Sequence, residues 1–494
     1  MASRLPAITY TFPTPVPPSR DWHCIPGRAG TSTMCLPRSP FPSRTCWRRC
    51  RPKCPVSAGS QSMIPEPRIS RFWRRIYARP WTCPGYGRTC RGGGFGILAR
   101  ALRTLLPGAG PTSRNDLTQL EKMMPNPFVI GEVEVQPGER KFGNLHVGHL
   151  AAGTPVNIPF QVINGTMDGP ILCYESTMHG WEPVGAEIIR RAMLEINPAE
   201  LRGTIVCLPL AVPMAVEFGG TVESSGMRVN PGDVLDINKV WPGKERNAWL
   251  TEQIAYVIWN QAIKHCDYIV DMHDGTGACD ELPVAFPHAF PPEGKPPLAG
   301  GVADGTGSEI SFEETGLTRE RMDDINAKID GMAKAFGSRV IWWRENPINP
   351  SMLSGQCAVH GIIPLVVEAG GACALDFAVD EGAVCLLNIA RHLDMIDGDP
   401  VLAPQQIMVS NYVVYRSQTG GYYIPDPDLG LGDTVAKGQF LGEVVDPVTS
   451  EVRERCESPV NGIVVSRRVR LPMNPGGYVA HIADLDSVMW ERSN

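Results

Sequence analysis

The chain has 494 residues, of which 46 are Lys or Arg and 52 are Asp or Glu, giving a formal net charge of −6. This length accommodates two or three domains with a sizeable buried core. The sequence holds no apolar run of about 18 residues and its net charge is mildly negative, so we expect neither a membrane-spanning helix nor a nucleic-acid partner.

The overall charge hides two different compositions. Residues 1–122 contain 18 Arg and 2 Lys but only 4 acidic residues, together with 7 of the 15 Cys. They show no sustained helical or strand period. A basic nucleic-acid-binding tail and an organelle transit peptide are alternatives, but such tails favour Lys runs, and this segment is long for a transit peptide. We predict a disordered or non-native extension, with translation beginning at Met123 or Met124.

The 8 Cys that follow this extension are scattered and form no C-x-x-C pair. Isolated cysteines in a large chain are typical of buried cytosolic thiols rather than of a disulfide framework. No secretory signal can be drawn at the beginning of the sequence. We therefore expect a cytoplasmic protein.

From residue 123 onwards, strand-like and helix-like segments alternate. Predicted strands cover the alternating segment 147–162, expected at a sheet edge, and the apolar runs 170–174, 203–210, 268–272 and 362–367. Predicted helices follow Pro183 and cover 247–264, 319–336 and 380–395. This alternation is typical of an α/β fold with a largely parallel sheet. We predict such a domain over residues 123–402.

After about residue 400 the pattern changes to short strands separated by glycines, among them the pairs at 420–421 and 476–477. Short strands with frequent glycine turns are typical of a small all-β domain. We predict that this domain covers residues 403–494.

The strongest local signal for chemistry is the segment 176–182, which lies between a predicted buried strand and a predicted helix. His179 and Glu182 are three residues apart, so at such a corner both side chains can point to one centre. Imidazole nitrogen and carboxylate oxygen are ligands that suit zinc. The alternative, that His179 is an ordinary hydrogen-bonded loop residue, stays open on spacing alone.

A second signal, the segment 271–275, follows another buried strand and contains His273. Ligands of open α/β sheets gather at the carboxyl ends of the strands, so we expect His273 near His179 and Glu182. Two His and one carboxylate leave a fourth position open for water, which marks a catalytic zinc site. We predict one Zn²⁺ per chain on these three ligands.

Glu368 directly follows the apolar strand 362–367 and precedes Gly370 and Gly371. A carboxylate at this edge of the sheet can take a proton from water and pass it to a leaving nitrogen. The alternative is a glutamate that only caps the following turn.

Residues 226–243 form an irregular polar segment that is too long for a simple connection. Arg228 can hold a substrate carboxylate in a bidentate fork or polarise a carbonyl, and we expect related roles for Asn238 and Lys239. The alternative is a surface loop whose charges pair with one another, with Asp233 or Asp236 as the partner of Arg228.

The order and spacing of these motifs resemble the succinylglutamate desuccinylase/aspartoacylase family, a branch of the zinc carboxypeptidase-like hydrolases. The motifs are His-Gly-x-Glu at 179–182, Arg-x-Asn-Pro-x-Asp at 228–233, Asp-x-His at 271–273 and Glu-x-Gly-Gly at 368–371. The resemblance covers about residues 128–485. It implies a zinc-carboxypeptidase-like mixed sheet flanked by helices, with a barrel-sandwich-like C-terminal domain.

The resemblance also implies an activity, the zinc-dependent hydrolysis of the amide bond of an N-acyl amino acid or a related small amide. His179, Glu182 and His273 match the family's zinc ligands, and Glu368 matches the general acid/base that activates the metal-bound water. Arg228 and Asn238 match residues that bind the carbonyl and the substrate carboxylate. The implied partner is therefore a small-molecule substrate, with a homo-oligomer as a further expectation.

Three departures from the family pattern concern specificity. The pair Thr177-Met178 replaces a glycine before His179, and Trp181 replaces a small polar residue, so we expect a reshaped pocket mouth. Lys239 stands where the family has Arg, and Lys lacks the planar fork that binds a carboxylate bidentately.

The C-terminal part is similar to a biotinyl/lipoyl-like hammerhead, but its hairpin tip at 446–449 has no lysine to modify. We therefore expect it to cover the mouth of the active site or to support an oligomer interface. Two other functions stay open for the whole chain: a metallocarboxypeptidase acting on short peptides, and a zinc- or ligand-binding module without catalysis.

Overall fold

The computed structural model describes residues 126–218, 226–275, 277–292, 316–345, 349–371 and 376–493. The predicted extension over residues 1–122 and the predicted start at Met123 or Met124 lie outside these ranges. Across the described ranges, every helix is too short or too polar to cross a membrane.

Twelve strands precede residue 400 in the described residues. They are β1 (Phe128–Ile130), β2 (Val133–Val135), β3 (Glu139–His149), β4 (Pro155–Asn164), β5 (Met167–Ser176), β6 (Arg202–Leu208), β7 (Tyr268–His273), β8 (Cys279–Ala285), β9 (His288–Ala289), β10 (Val340–Trp342), β11 (Arg344–Glu345) and β12 (Ile363–Gly371). The α-helices are α1 (Val184–Leu194), α2 (Pro213–Glu217), α3 (Leu250–Gln261), α4 (Arg319–Phe336), α5 (Leu353–Val359) and α6 (Asp376–His392).

While β1 with β2 and β9 with β11 form two-stranded sheets, most of these strands belong to one large mixed sheet, as predicted. Its central strands are β12, β7, β5 and β6, which run parallel in that order. Beyond β6 the sheet continues with the antiparallel strands β4 and β3, and beyond β12 with the antiparallel strand β8. The sheet is therefore less parallel than the strand pattern predicted, because β8 on one side and β4 and β3 on the other pair antiparallel.

Helices cover both faces of the central sheet. On one face, α1, α4 and α6 pack against buried residues such as Leu172 and Tyr174 of β5. On the other face, α3 and α5 pack against Cys173 of the same strand. Successive residues of a strand point to opposite faces, so a strand covered on both sides must be apolar throughout. That explains the uninterrupted apolar runs of the sequence.

The C-terminal part is all-β, as predicted, apart from a single 3-10 turn at Leu485–Ser487. Its strands are β13 (Gln405–Val409), β14 (Tyr412–Arg416), β15 (Gly421–Pro425), β16 (Thr434–Val435), β17 (Phe440–Val445), β18 (Val452–Glu457), β19 (Gly462–Arg468), β20 (Pro472–Met473), β21 (Tyr478–Asp484) and β22 (Val488–Ser493). Strands β18, β17, β15 and β20 form a separate sheet.

The C-terminal strands are hydrogen-bonded to the large sheet. Strand β19 pairs antiparallel with β8, and β21 and β14 follow β19 outwards. Strand β13 pairs parallel with β10. Strands β19, β21 and β14 therefore extend the large sheet beyond β8, which is the strand that follows His273 in sequence. The boundary between residues 402 and 403 stays a prediction.

Candidate metal centre and active site

The turn after β5 brings His179 and Glu182 to the carboxyl end of the parallel strands. Thr177 has φ 59°, in the left-handed region, so the chain turns sharply as the strand ends. Gly180 packs so tightly that an added Cβ would lie 2.0 Å from the carbonyl oxygen of Ala215. Pro183 then occupies the N-cap of α1. The local sequence thus fixes both predicted ligands between a strand and a helix.

The structure brings His179, Glu182 and His273 together. Oε2 of Glu182 lies 2.9 Å from Nδ1 of His179 and 2.8 Å from Nδ1 of His273. One ligand atom from each residue lies within 4.8 Å of the others. The side chains are buried, with exposed fractions of 1%, 2% and 8% in chain order.

Each of these three side chains is held by a further polar group. Nε2 of His179 lies 3.1 Å from Oδ1 of Asp236, and Nε2 of His273 lies 3.3 Å from Oδ1 of Asp271. Trp181 donates its indole N–H to Oε1 of Glu182 at 3.0 Å. Such outer partners fix the orientation of metal-binding side chains, so Nδ1 is the atom that each His offers to the centre.

The donor set fits a zinc ion. It consists of two imidazole nitrogens and one carboxylate oxygen, the set found in catalytic zinc sites with three protein ligands. Burial alone would raise the pKa of Glu182, but the contacts with His179 and His273 lower it, so the carboxylate is the stable form. The carboxylate oxygen of Glu182 and the two Nδ1 atoms converge on one point, where they can bind a divalent metal ion together.

Glu368 lies beside this cluster on the neighbouring strand. In the register of β12 and β7, Glu368 is paired with His273, and both residues line the same cavity. Burial, followed by the negative charge of Glu281, raises the pKa of the Glu368 carboxyl well above its ordinary value. Its position in the cavity wall is that of a group able to exchange a proton with a bound molecule.

Arg228 and Asn238 also line this cavity. Nε of Arg228 donates to Oδ2 of Asp236 at 3.1 Å, so the charge pairing expected for a surface loop is present, although Arg228 faces the cavity as well. Asn238 is buried and its side-chain oxygen accepts a hydrogen bond from the backbone N–H of Leu353. Lys239 follows Asn238 in a short 3-10 turn but does not line the cavity.

Asp236 contacts two predicted site residues, His179 and Arg228, but the sequence did not predict Asp236 itself as a site residue. Its Oδ1 contacts His179 and its Oδ2 accepts the bond from Arg228. Burial opposes ionisation, but the hydrogen bond and charge of His179 and the charge of Arg228 lower the pKa of Asp236 to about 2. In the sequence, Asp236 was considered only as an ion-pair partner of Arg228, which lies eight residues before it.

The cavity has a volume of about 320 Å³, and sequence reasoning missed most of its far wall. That wall is built by residues of β8 to β11 and of the C-terminal strands β14 and β21. Its side chains are those of Glu281, Phe286, His288, Trp342, Arg344, Tyr412, Arg416, Tyr478 and His481. Trp181, expected to reshape the pocket mouth, does not line the cavity.

Three rings of this wall form a stack. The ring centroids of Phe286 and Trp342 are 4.3 Å apart, as are those of Trp342 and Tyr412, and each pair is tilted by 11°. The guanidinium of Arg344 lies 4.9 Å and 5.0 Å from the Phe286 and Trp342 centroids. Burial lowers the pKa of Arg344 to about 10, so it remains a cation at neutral pH.

The fold is a mixed α/β sheet flanked by helices, and the site lies at the carboxyl ends of its parallel strands. Residues 169–292 match the family model of the succinylglutamate desuccinylase/aspartoacylase catalytic domain. The resemblance predicted from the four motifs is therefore confirmed over this segment.

Individual relatives are distant. The N-alpha-acetyl-L-2,4-diaminobutyric acid deacetylase of Halomonas elongata is 21% identical over 342 residues, covering 67% of this chain and 86% of the relative. A succinylglutamate desuccinylase/aspartoacylase structure from Rhodobacter sphaeroides is 22% identical with a TM-score of 0.54, covering 70% of this chain and 95% of the other.

A third relative is the product-bound structure of the ectoine utilization protein EutE (DoeB) from Ruegeria pomeroyi. It is 20% identical with a TM-score of 0.56, and the match covers 70% of this chain and 95% of the other. At these identities the solved structures support the fold.

Proposed function

We propose that this chain is a zinc-dependent deacylase that hydrolyses the amide bond of an N-acyl amino acid. The observation that carries the proposal is the convergence of His179, Glu182 and His273 in a cavity that Glu368 also lines. Amide hydrolysis needs an electrophilic centre beside a group that moves protons. A metal held by the three ligands would supply the first, and Glu368 would supply the second.

His179, Glu182 and His273 are the residues that would hold the metal. When bound, Zn²⁺ supplies a Lewis acid that polarises a carbonyl group and makes water a stronger nucleophile at neutral pH. Asp236, Asp271 and Trp181 would keep the three ligand side chains in their orientations, through the contacts described above.

Glu368 would act first as a general base and then as a general acid. It takes a proton from the attacking water and delivers that proton to the amide nitrogen as the C–N bond breaks. A carboxyl whose pKa is raised by burial and by Glu281 suits this role, because it binds the proton firmly enough to carry it between the two steps.

Arg228 would stabilise the oxygen of the scissile carbonyl as negative charge develops on it. Its Nε is held by Asp236, and its Nη1 lies 3.9 Å from Oε1 of Glu182, which places the guanidinium beside the cluster. Asn238 has its oxygen engaged by Leu353, so its NH₂ group is the part that would bind the substrate. Arg344 would bind a carboxylate at the far wall.

The deacetylase relative from Halomonas elongata supports a small N-acyl amino acid as substrate, since its name gives that chemistry. A cytoplasmic location is part of the proposal. The free cysteines of the described residues, seven in number, are all buried. Reduced, buried thiols suit a reducing compartment.

The test is a hydrolysis screen with the full chain. N-acetyl, N-succinyl and N-formyl amino acids are compared with short peptides, using zinc-loaded protein and protein stripped by a chelator. We expect release of the free amino acid from at least one N-acyl series, only with metal present. Cleavage of peptides alone would indicate a metallocarboxypeptidase. Stoichiometric zinc without hydrolysis of any substrate would indicate a binding module.

A further inference from the structure

A fully buried glutamate that the proposed hydrolysis does not use lies near the end of β5. Glu175 is 0% exposed. It points to the same face of the sheet as Cys173, two residues before it, because the residues of a strand alternate between the two faces. Helices α3 and α5 cover that face. Glu175 is therefore enclosed between the sheet and these helices, and it does not line the active-site cavity.

The neighbour of Glu175 is the aspartate that supports His273. Glu175 and Asp271 are paired in the register of the parallel strands β5 and β7, and their carboxyl groups are in hydrogen-bond contact. Asp271 is 1% exposed, and its Oδ1 lies 3.3 Å from Nε2 of His273. A line of side chains thus runs from Glu175 through Asp271 to a residue of the metal centre.

Neither carboxyl oxygen of Glu175 has a hydrogen-bond donor among the described residues, although both oxygens are buried. Two facing carboxylates repel each other, and burial makes such a pair of charges still less stable. One proton between the two groups removes the repulsion. Asp271 faces Nε2 of His273, which stabilises its negative charge, so the proton belongs on Glu175. In agreement, burial and then the charge of Asp271 raise the pKa of Glu175 well above its ordinary value.

We propose that Glu175 is a positioning residue of the metal centre, which donates a hydrogen bond from its protonated carboxyl to Asp271 and so holds Asp271 against His273. This inference rests on the metal centre of the proposed deacylase. Outer carboxylates fix the tautomer and orientation of a metal-binding His, so a group that fixes such a carboxylate acts on the metal through it. Without that donor, Asp271 keeps a buried, unsatisfied oxygen and can turn away from His273.

Two substitutions separate the hydrogen bond of Glu175 from the packing of its side chain. Glu175→Gln keeps the size and offers an amide N–H to Asp271, whereas Glu175→Met has a similar size but no donor. Zinc affinity of the full chain, measured by competition with a chromogenic chelator, should fall about tenfold in E175M and stay within about threefold of the wild type in E175Q. Glu200→Met, the same exchange at an exposed turn, is the control and should leave zinc affinity unchanged.

A double variant with Asp271 tests whether Glu175 acts through this residue. Asp271→Asn should lower zinc affinity about tenfold to a hundredfold, because His273 loses the carboxylate that faces it. Adding E175M to D271N should change the affinity little further, since residues that act through one another are not additive. Additive losses would overturn the proposal, as would equal losses in E175Q and E175M.

An infrared measurement tests the proton itself and does not depend on the folding of E175M. The C=O stretch of a protonated carboxyl differs from that of a carboxylate. The difference spectrum between zinc-loaded wild type and E175Q at neutral pH should show the loss of one protonated carboxyl. Loss of a carboxylate band instead would overturn the proposal, because an ionised Glu175 has no proton to donate.

These readouts separate the inference from the proposed function, because neither requires turnover. Weaker zinc binding in E175M that E175Q restores supports the role of Glu175 even if no N-acyl amino acid is hydrolysed. Zinc binding that is equal in wild type, E175M and E175Q rejects the role of Glu175 and leaves the deacylase function standing.

Discussion

Glu368 and His273 occupy paired positions on the adjacent parallel strands β12 and β7. Parallel strands end at the same edge of a sheet, so residues in register there share one side of the molecule. His179 and Glu182 enter from the turn after β5, which is the neighbour of β7 on its other side. The predicted ligands and the predicted acid/base thus come from three consecutive strands of the sheet.

The first prediction concerns the acid/base role of Glu368. Replacing Glu368 by Gln keeps the size of the side chain but removes its ability to carry a proton, so turnover should fall by about a thousandfold. Metal content, measured by elemental analysis, should stay the same because Glu368 is not one of the three converging ligands. Glu200→Gln, at an exposed turn, serves as the control. Wild-type turnover in E368Q would reject the role.

The second prediction concerns the support of His179 by Asp236. Asp236→Asn removes the negative charge that faces Nε2 of His179, so zinc affinity measured by competition with a chromogenic chelator should fall about tenfold to a hundredfold. Asp397→Asn provides a control, because Asp397 is an exposed carboxylate paired with Arg202. Unchanged zinc affinity in D236N would show that this contact does not support the ligand.

The positions of His179, His273 and Glu368 could be predicted from the sequence for a physical reason. The apolar runs of β5, β7 and β12 must be buried on both faces, and each run stops where a polar motif begins. His179, His273 and Glu368 therefore had to lie at one edge of the sheet. Helix α4 was predictable from its apolar period, which begins and ends with the helix at Arg319–Phe336.

The far wall of the cavity could not be predicted from the sequence, because it is built by pairing between strands that are distant in sequence. Strand β8 has the sequence CDELPVA, whose mixed polarity shows no clear strand period. Its pairing with β19 places the C-terminal strands beside the cavity. No local signal indicates that Tyr412 and His481, more than 130 residues after His273 in sequence, contact Glu281.

The third prediction concerns packing behind Glu368. Gly370 has φ +99°, and an added Cβ would lie 2.4 Å from Cγ1 of Val184 in α1. Gly370→Ala should lower the free energy of unfolding by about 2–4 kcal/mol, combining backbone strain with overpacking. Gly438 has φ +83° with nothing within 4 Å, so Gly438→Ala should cost only the strain, about 1 kcal/mol. Urea unfolding measures both, and equal losses would contradict the packing account.

The fourth prediction concerns acid stability and His288. Burial, and then the charge of Arg344, lower the pKa of His288 from 6.5 to about 3. Below pH 6.5, His288 binds a proton in the unfolded chain but not in the folded chain. The free energy of unfolding therefore falls as the pH decreases toward 3. Between pH 7 and pH 5 this amounts to about 2 kcal/mol. His288→Asn should remove that part of the loss in urea unfolding at the two pH values.

The control for His288 is the exposed His265, whose replacement by Asn should leave the pH dependence as in the wild type. An identical loss of stability between pH 7 and pH 5 in wild type and H288N would show that His288 titrates normally in the folded protein.

The central claim is that one metal ion, held by His179, Glu182 and His273, makes this chain a deacylase. Its most direct test adds Zn²⁺ in steps to chelator-stripped full chain and follows release of the free amino acid from the best N-acyl substrate of the screen. The account predicts that the rate rises in proportion to added metal and levels off at one equivalent per chain, and that His273→Ala neither binds that equivalent nor turns over. Undiminished hydrolysis by the stripped protein, or by H273A, would contradict it.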